Sequence, residues 1–323
     1  MGLKPMRCSL VVMHVLYIVC QCFPGPQFQY LTHPRGGVQS RRRPMANSNI
    51  IALHHLNCCT NRPRVGRLFN ERKPCRVISH CILIETGRGL VLIDTGIGLD
   101  DMKHPERLGF MHIFIRPRLD DNETAIRQVQ KLGFSAHDVQ HIIMTHLDLD
   151  HTGGLPDFPH AKVHVLQREY EAAMMPYGFK ENERYRNAHW AHSPDWVIYK
   201  EQYNEPWFGF DSIRQLNGLP PEIILVRLPG HTRGHCGIAI HTADGWLLHA
   251  GDSYYFHKQM HEIPITTPMV YLFQRFAHRH YQQAMQTKEK LRNVVLKNKK
   301  EVKVLCSHDT EEFESLSQTK VWV

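Results

Sequence analysis

The feature that most constrains this chain is a run of metal-ligand side chains directly after a short apolar segment. The segment HIIMT leads into His146, and the chain continues LDLDHTGG through Asp148, Asp150 and His151. After a buried strand, a loop that presents alternate side chains on one side can aim several of these residues at one point. Imidazole and carboxylate ligands suit zinc and other borderline divalent metals, and the run contains no thiolate. The sequence therefore predicts a metal site at the end of a strand.

Four further apolar runs end in a residue of the same kind. VLI ends at Asp94, ILVRLPG at His231, WLLHAG at Asp252 and VKVLCS at His308. Short apolar runs bounded by Gly and Pro are typical of buried strands. Because open sheets place their sites at strand ends, we expect these side chains to contribute to one site.

Helical patterns alternate with the predicted strands. Asp121 or Asn122 can cap a helix that stops at Gly133, a second helix is predicted at 167–175, and the longest at 270–297. This alternation indicates an α/β fold with two sheets and helices on their outer faces.

The charge of the chain is concentrated in its first residues. The formal net charge is +8, but residues 1–44 hold six Lys or Arg and no Asp or Glu, which leaves +2 for the remainder. Because residues 45–323 are nearly neutral, they offer no excess of positive charge that would bind a polyanion. We therefore expect a small-molecule substrate and no nucleic acid. The oligomeric state is left open.

Residues 1–44 are interpreted as an N-terminal extension, disordered or dispensable, before a globular domain at 45–323. The apolar run 8–20 is too short to span a bilayer, so no stable membrane association is expected. It has the length of a signal-peptide core, yet His14 interrupts it and no small-residue cleavage site follows. A cytoplasmic protein is expected, with export through a weak signal as the alternative. The nine cysteines form no disulfide pattern, which agrees with a reducing compartment.

One segment of the globular domain departs from the strand and helix patterns. Residues 176–217 are rich in Tyr, Trp, Phe, Asn and Pro and have no clean period. We interpret them as an aromatic-rich insertion packed over a sheet edge, where they would form a lid.

Together, the five motifs resemble those of metallo-β-lactamase-fold hydrolases. That family shows an Asp after an early strand, then H-x-H-x-D-H, then a distant His, Asp and His, and all five follow in order over residues 50–310. The resemblance implies an αββα sandwich of two mixed sheets with flanking helices. One position departs from the pattern, because Asp148 stands where the family has its second His. This change keeps the number of ligands and lowers the charge of the site by one.

The resemblance also implies a binuclear metal site, with Zn²⁺ as the first expectation and Fe or Mn as alternatives at one position. It assigns one metal to His146, Asp148 and His231, the other to Asp150, His151 and His308, and Asp252 to both. Two such metals can share a hydroxide that attacks a carbonyl carbon. Asp150 and Tyr255 are the expected catalytic residues.

Tyr255 connects the chain with one branch of that family. It follows Asp252 by three positions, where N-acyl homoserine lactonases place a Tyr that hydrogen-bonds the reacting carbonyl, although Tyr254 competes for the role. Asp94 is expected to orient a ligand or tighten a turn, and His235 to support the site or the fold. The remaining histidines and cysteines of the apolar runs are expected to be packed or at the surface: His54, His55, His80, Cys236 and Cys306.

These features favour a dinuclear metal hydrolase acting on a lactone or another carboxylic ester. A thioester hydrolase resembling glyoxalase II is one alternative, and a non-catalytic metal-binding relative is the other. The complete set of motifs argues against a relative that has lost catalysis.

Overall fold

The computed structural model describes residues 49–63, 76–202, 205–213, 215–317 and the backbone of 321–322. The N-terminal extension 1–44 lies outside the described residues. Within the described ranges, no helix combines the length and apolar character needed to cross a membrane.

Two mixed sheets form the centre of the molecule. The strands are β1 (Ile50–Asn61), β2 (Val77–Thr86), β3 (Gly89–Ile93), β4 (Val139–Ile143), β5 (Lys162–Leu166), β6 (Asp195–Tyr199), β7 (Glu205–Trp207), β8 (Phe210–Ile213), β9 (Ile223–Arg227), β10 (Cys236–Thr242), β11 (Gly245–His249), β12 (Val302–Leu305) and β13 (Val321–Trp322). The first sheet has the order β13-β1-β2-β3-β4-β5-β6 and the second the order β12-β11-β10-β9-β8-β7. Strands β3 to β6 run parallel, as do β11 and β12, and the other neighbours are antiparallel.

Helices connect the strands, and some of them cover the outer faces of the two sheets. They are α1 (Leu99–Lys103), α2 (His112–Ile115), α3 (Ala125–Lys131), α4 (Leu149–Thr152), α5 (Gln167–Met174), α6 (Gly178–Arg184), α7 (Pro268–Ala277), α8 (Tyr281–Lys297) and α9 (Thr310–Ser317). Alternate residues of the strands point to opposite faces. Ile82 of the first sheet therefore packs with Ile238 of the second, whereas Leu92 packs with Val129 of α3. Leu291 of α8 covers the second sheet from outside. The predicted αββα sandwich is confirmed.

The helix predicted to be capped by Asp121 or Asn122 starts later. Asp120 accepts a hydrogen bond from the backbone N–H of Asn122 and caps a separate 3-10 turn over Asp121–Glu123. Thr124 then adopts an extended conformation, and α3 begins after it. The predicted cap is therefore wrong, because Asp121 and Asn122 lie inside this 3-10 turn and not at the start of the helix.

The long helix predicted at 270–297 is broken after Ala277. The backbone N–H groups of Arg279 and His280 donate to the carbonyls of His231 and Gly230, both at 2.9 Å. These donors leave the helix and hold the loop that carries His231. The prediction of one helix is wrong because periodicity along the chain cannot report this contact with a distant loop.

The aromatic-rich segment 176–217 contributes to both sheets. It contains α6 and three short strands, of which β6 closes the first sheet and β7 the second. Its lack of a clean period follows from a succession of short elements with different spacings. The segment thus forms the sheet edges themselves, and α6 extends from it toward the metal-ligand residues.

Candidate metal centre

The predicted ligand residues meet at one end of the two sheets. Asp94 follows β3, the loop from His146 follows β4, and Asp252 follows β11. His231 and His308 come after β9 and β12, which run in the same direction as β11. The carboxyl ends of these strands therefore face one another across the sandwich, as expected for an open-sheet site.

A first group consists of His146, Asp148 and His231. Asp148 Oδ2 lies 3.4 Å from His146 Nε2 and 3.0 Å from His231 Nε2. Both histidines are buried, whereas the Asp148 side chain keeps 14% exposure. The three side chains offer ligand atoms that lie within 4.8 Å of one another.

A second group consists of Asp150, His151 and His308. Asp150 Oδ1 lies 3.9 Å from His151 Nε2, and its Oδ2 lies 3.7 Å from His308 Nε2. These ligand atoms also lie within 4.8 Å of one another. The short helix α4 carries both Asp150 and His151.

Asp252 lies between the two groups. Its Oδ2 lies 3.4 Å from His231 Nε2 and 3.1 Å from His308 Nε2, and its Oδ1 lies 3.4 Å from His151 Nε2. One carboxylate therefore reaches histidines of both groups, which is the arrangement of a bridging ligand.

The chemistry of this cluster fits divalent metal ions. His146 Nε2, His151 Nε2 and Asp252 Oδ1 are buried without a hydrogen bond of acceptable geometry, although buried polar atoms are normally paired. Burial lowers the pKa of His308, but the Asp252 and Asp150 carboxylates outweigh it and raise that pKa to about 9. The same carboxylates favour any positive charge at this nitrogen. Nitrogen and oxygen donors without thiolate suit Zn²⁺, Fe and Mn.

Asp94 contacts the loop that carries the ligand candidates, on the side of His151 away from Asp252. Its carboxylate accepts hydrogen bonds from His151 Nδ1 at 2.8 Å and from the Thr145 backbone and hydroxyl at 2.8 and 2.7 Å. Burial raises the pKa of Asp94, but His151 outweighs burial by attraction and hydrogen bonding, so that the pKa falls below its ordinary value. The predicted orienting role agrees with these contacts.

His235 supports Asp252 through the backbone. Its Nδ1 donates to the carbonyl of Leu228 at 2.7 Å, which leaves Nε2 to accept the backbone N–H of Asp252 at 2.9 Å. Burial lowers the pKa of His235 to about 3, which keeps the ring neutral and this tautomer available.

Tyr255, and not Tyr254, reaches the cluster. The Tyr255 hydroxyl donates to Asp252 Oδ2 at 3.1 Å and lies 3.4 Å from His231 Nδ1. The Tyr254 hydroxyl donates instead to Glu312 at 2.7 Å, within the core beside the second sheet. Burial and the nearby Asp252 carboxylate raise the pKa of Tyr255 well above its ordinary value, so the phenol stays protonated.

Two charged residues beside the cluster are not predicted from the sequence. Buried Glu169 accepts hydrogen bonds from the backbone N–H groups of Leu147 and Gly234, at 2.9 and 3.0 Å, and so joins the loops that carry His146 and His231. Arg184, at the end of α6, lies 2.9 Å from Asp148 Oδ2. A charged residue in a helix is usually solvated, so neither gave a signal in the sequence.

The other residues considered from the sequence lie outside the ligand groups. His55 and His80 contact each other at 2.9 Å, and His54 pairs with Glu85. Cys236 and Cys306 are buried, and burial raises the pKa of both thiols, which disfavours the thiolate form.

Comparisons with known proteins agree with this architecture. A sequence profile described as "Metallo-beta-lactamase superfamily" matches residues 76–308. Proteins named "Probable metallo-hydrolase" from Mycobacterium bovis and Mycobacterium tuberculosis are each 41% identical over 212 residues, which is 66% of this chain. The match spans 65% of the length of these mycobacterial relatives. An N-acyl homoserine lactonase of Bacillus cereus is 26% identical over 264 residues, covering 79% of this chain and 90% of the relative.

A solved structure has the same fold. It is an N-acyl homoserine lactone hydrolase with N-hexanoyl-L-homoserine bound at its catalytic metal centre. The TM-score is 0.63 at 22% identity, and the match covers 84% of this chain and 100% of the other. At this identity the similarity establishes the fold alone.

Proposed function

The chain belongs to the metallo-beta-lactamase superfamily, and we propose that it is a hydrolase that uses two divalent metal ions to cleave a lactone or another carboxylic ester. The observation that carries this proposal is the position of Asp252, whose two oxygens reach histidines of both ligand groups. A single structural metal would need only one such group.

Seven residues would hold the metals. One ion would bind to the first group, which is His146, Asp148 and His231. The other would bind to the second group, which is Asp150, His151 and His308, and Asp252 would contribute to both sites. When bound, such a pair polarises a carbonyl oxygen and activates water for attack at neutral pH. Zn²⁺ is the identity that we propose first, and Fe or Mn, which the same nitrogen and oxygen donors suit, is the alternative at one position.

The chain's own residues would orient the reaction. Asp94 fixes the ring of His151, and His235 fixes the backbone of Asp252. The Tyr255 phenol donates to Asp252 at 3.1 Å. With this carboxylate engaged by metal, the phenol would instead donate to the oxygen that gains charge when the carbonyl is attacked. Asp150 would act by holding the second metal beside that carbonyl.

A lactone is the favoured substrate for two reasons. The Bacillus relative, similar over most of both chains, is an N-acyl homoserine lactonase. Tyr255 also follows Asp252 at the spacing that resembles the N-acyl homoserine lactonases, and its hydroxyl points to the ligand cluster. A thioester has the same carbonyl geometry, so it belongs among the test substrates.

Metal content and hydrolysis measured on one sample test this proposal. Purified protein supplemented with Zn²⁺ should hold about two metals per chain and should hydrolyse lactones faster than thioesters, phosphodiesters or β-lactams. His151→Ala should lower the metal content and abolish hydrolysis. His104→Ala is the matched control, because that histidine is 62% exposed and lies outside the ligand groups. Protein that binds no metal would overturn the proposal, and faster thioester cleavage would reassign the substrate.

A further inference from the structure

Arg184 makes an unusual set of contacts for an arginine beside a metal-ligand cluster. Its Nη1 lies 2.9 and 3.1 Å from the two oxygens of Asp148 and 3.3 Å from His231 Nε2. Its Nη2 donates to the carbonyl of Ala277 at the end of α7. The side chain is only 12% exposed, so packing and hydrogen bonds hold the guanidinium in this position.

The atoms that Arg184 contacts are those that the first metal would use. Asp148 and His231 are two of the three members of the first group. The second group has a different environment, since the ion-pair partners of Asp150 among the described residues are His151 and His308. A fixed positive charge therefore lies against the first group and not against the second.

The charge on Arg184 cannot be removed by a change of protonation, because a guanidinium stays protonated in proteins. A cation that enters the first group must therefore displace Nη1 from Asp148 and His231 or remain beside a like charge. Both alternatives weaken binding, the first through lost charge-assisted hydrogen bonds and the second through repulsion.

We propose that Arg184 is a tethered cation that competes with the first metal ion for Asp148 and His231, so that the two metals bind in order, with the second group filled first. This inference rests on the proposed metal binding. It also gives a physical reason for the carboxylate at position 148, because a neutral histidine there would not pair with the guanidinium.

The test is a Zn²⁺ titration of metal-stripped full-length protein. Calorimetry and competition with a chromophoric chelator measure the affinity of each binding step. Wild-type protein should show two binding steps of unequal affinity. Arg184→Gln should tighten the weaker step by about 10- to 100-fold, the effect of a charge-assisted hydrogen bond, and leave the tighter step unchanged. His151→Ala, which disables the second group, should leave a single weak step that Arg184→Gln tightens in the double variant.

Two further variants make the test specific. Arg184→Lys keeps the charge but loses the planar fork, so its weaker step should tighten by less than that of Arg184→Gln. Arg186→Gln is the matched control: this arginine lies two residues along the chain and contacts Glu183 instead of the ligand groups. It should leave both steps unchanged. Circular dichroism checks that each variant is folded, and Arg184→Lys carries the test if Arg184→Gln does not fold.

The outcomes separate this inference from the proposed function. A weaker step that stays the same or becomes still weaker in both Arg184 variants would show that Arg184 positions Asp148 for the metal, and it would overturn the inference alone. Wild-type protein that binds no metal would overturn the proposed function together with it.

Discussion

Asp94 and His151 form a buried pair in which the carboxylate accepts a hydrogen bond from Nδ1 of the ring at 2.8 Å. The other ring nitrogen, Nε2, lies 3.4 Å from Asp252 Oδ1. The acid thus fixes both the tautomer and the direction of a ligand candidate. Asp94 itself has a φ of 54°, a left-handed conformation that Asp and Asn tolerate better than most residues.

We predict that Asp94→Asn weakens metal binding at the second group. Asparagine keeps the shape and tolerates the backbone conformation, but it removes the charge that polarises His151. The affinity of that group for Zn²⁺ should fall by about 10- to 100-fold, the usual effect of losing a partner behind a metal-bound histidine. Competition with a chelator measures it.

Asp101→Asn provides the matched control for this prediction. Asp101 is also buried and lies 3.1 Å from a histidine, but that histidine is His189, outside the ligand groups. The control should lower thermal stability and leave Zn²⁺ affinity unchanged. Equal losses of affinity in the two variants would mean that Asp94 acts on the fold in general.

The grouping of the candidate ligand residues at one end of the sheets could be predicted from the sequence, because each follows a strand and belongs to a residue type that binds metals. Arg184 and Glu169 could not, since their roles depend on which loops α6 and α5 meet after folding. The helix break after Ala277 has the same origin. Periodicity assigns the backbone N–H groups that follow to a helix, but they donate hydrogen bonds to the loop that carries His231. Long-range contacts of this kind leave no local pattern.

The sequence alone does not distinguish Tyr254 from Tyr255, whereas in the structure the Tyr255 hydroxyl contacts Asp252. This contact leads to a prediction about turnover. Tyr255→Phe should lower kcat for a lactone by about 100-fold, the effect of losing one donor to a developing oxyanion, with metal content unchanged. Steady-state kinetics on the metal-loaded protein measures this.

Tyr254→Phe serves as the comparison for that experiment. It removes a hydrogen bond to Glu312 in the core, so it should cost about 1 kcal/mol of unfolding free energy and leave kcat unchanged. If the two variants lower kcat equally, the phenol of Tyr255 has no special role at the carbonyl.

Removal of residues 1–44 should leave the domain folded. The first strand of the described residues begins at Ile50, and every candidate ligand residue lies beyond Asp94 in the chain. The shortened protein should therefore keep its melting temperature within about 2 °C, a shift below 1 kcal/mol for a domain of this size, and bind the same number of metals. Insoluble protein after this deletion would show that the extension contributes to the core.

Glu312 should make stability depend on pH away from the ligand cluster. Its carboxyl is buried, accepts hydrogen bonds from the Tyr254 hydroxyl and the Cys306 backbone, and lies near Asp309. Burial, followed by repulsion from Asp309, raises the pKa of Glu312 from 4.5 to about 8.

The sign of the effect follows from proton counting. Between pH 4.5 and 8 the folded state keeps a proton on Glu312 that the unfolded state has lost, so stability falls as the pH rises through this window. Glu312→Gln stays neutral and keeps an acceptor for Cys306. The melting temperature of Glu312→Gln minus that of wild type should therefore be several degrees larger at pH 9 than at pH 6, at about 2–4 °C for each kcal/mol of unfolding free energy. Glu262→Gln is the control: that carboxylate is 74% exposed and its ion-pair partner is Lys299, not a histidine, so it should show no such trend. Thermal unfolding at both pH values tests this, and a constant difference between Glu312→Gln and wild type would show that Glu312 ionises normally in the folded protein.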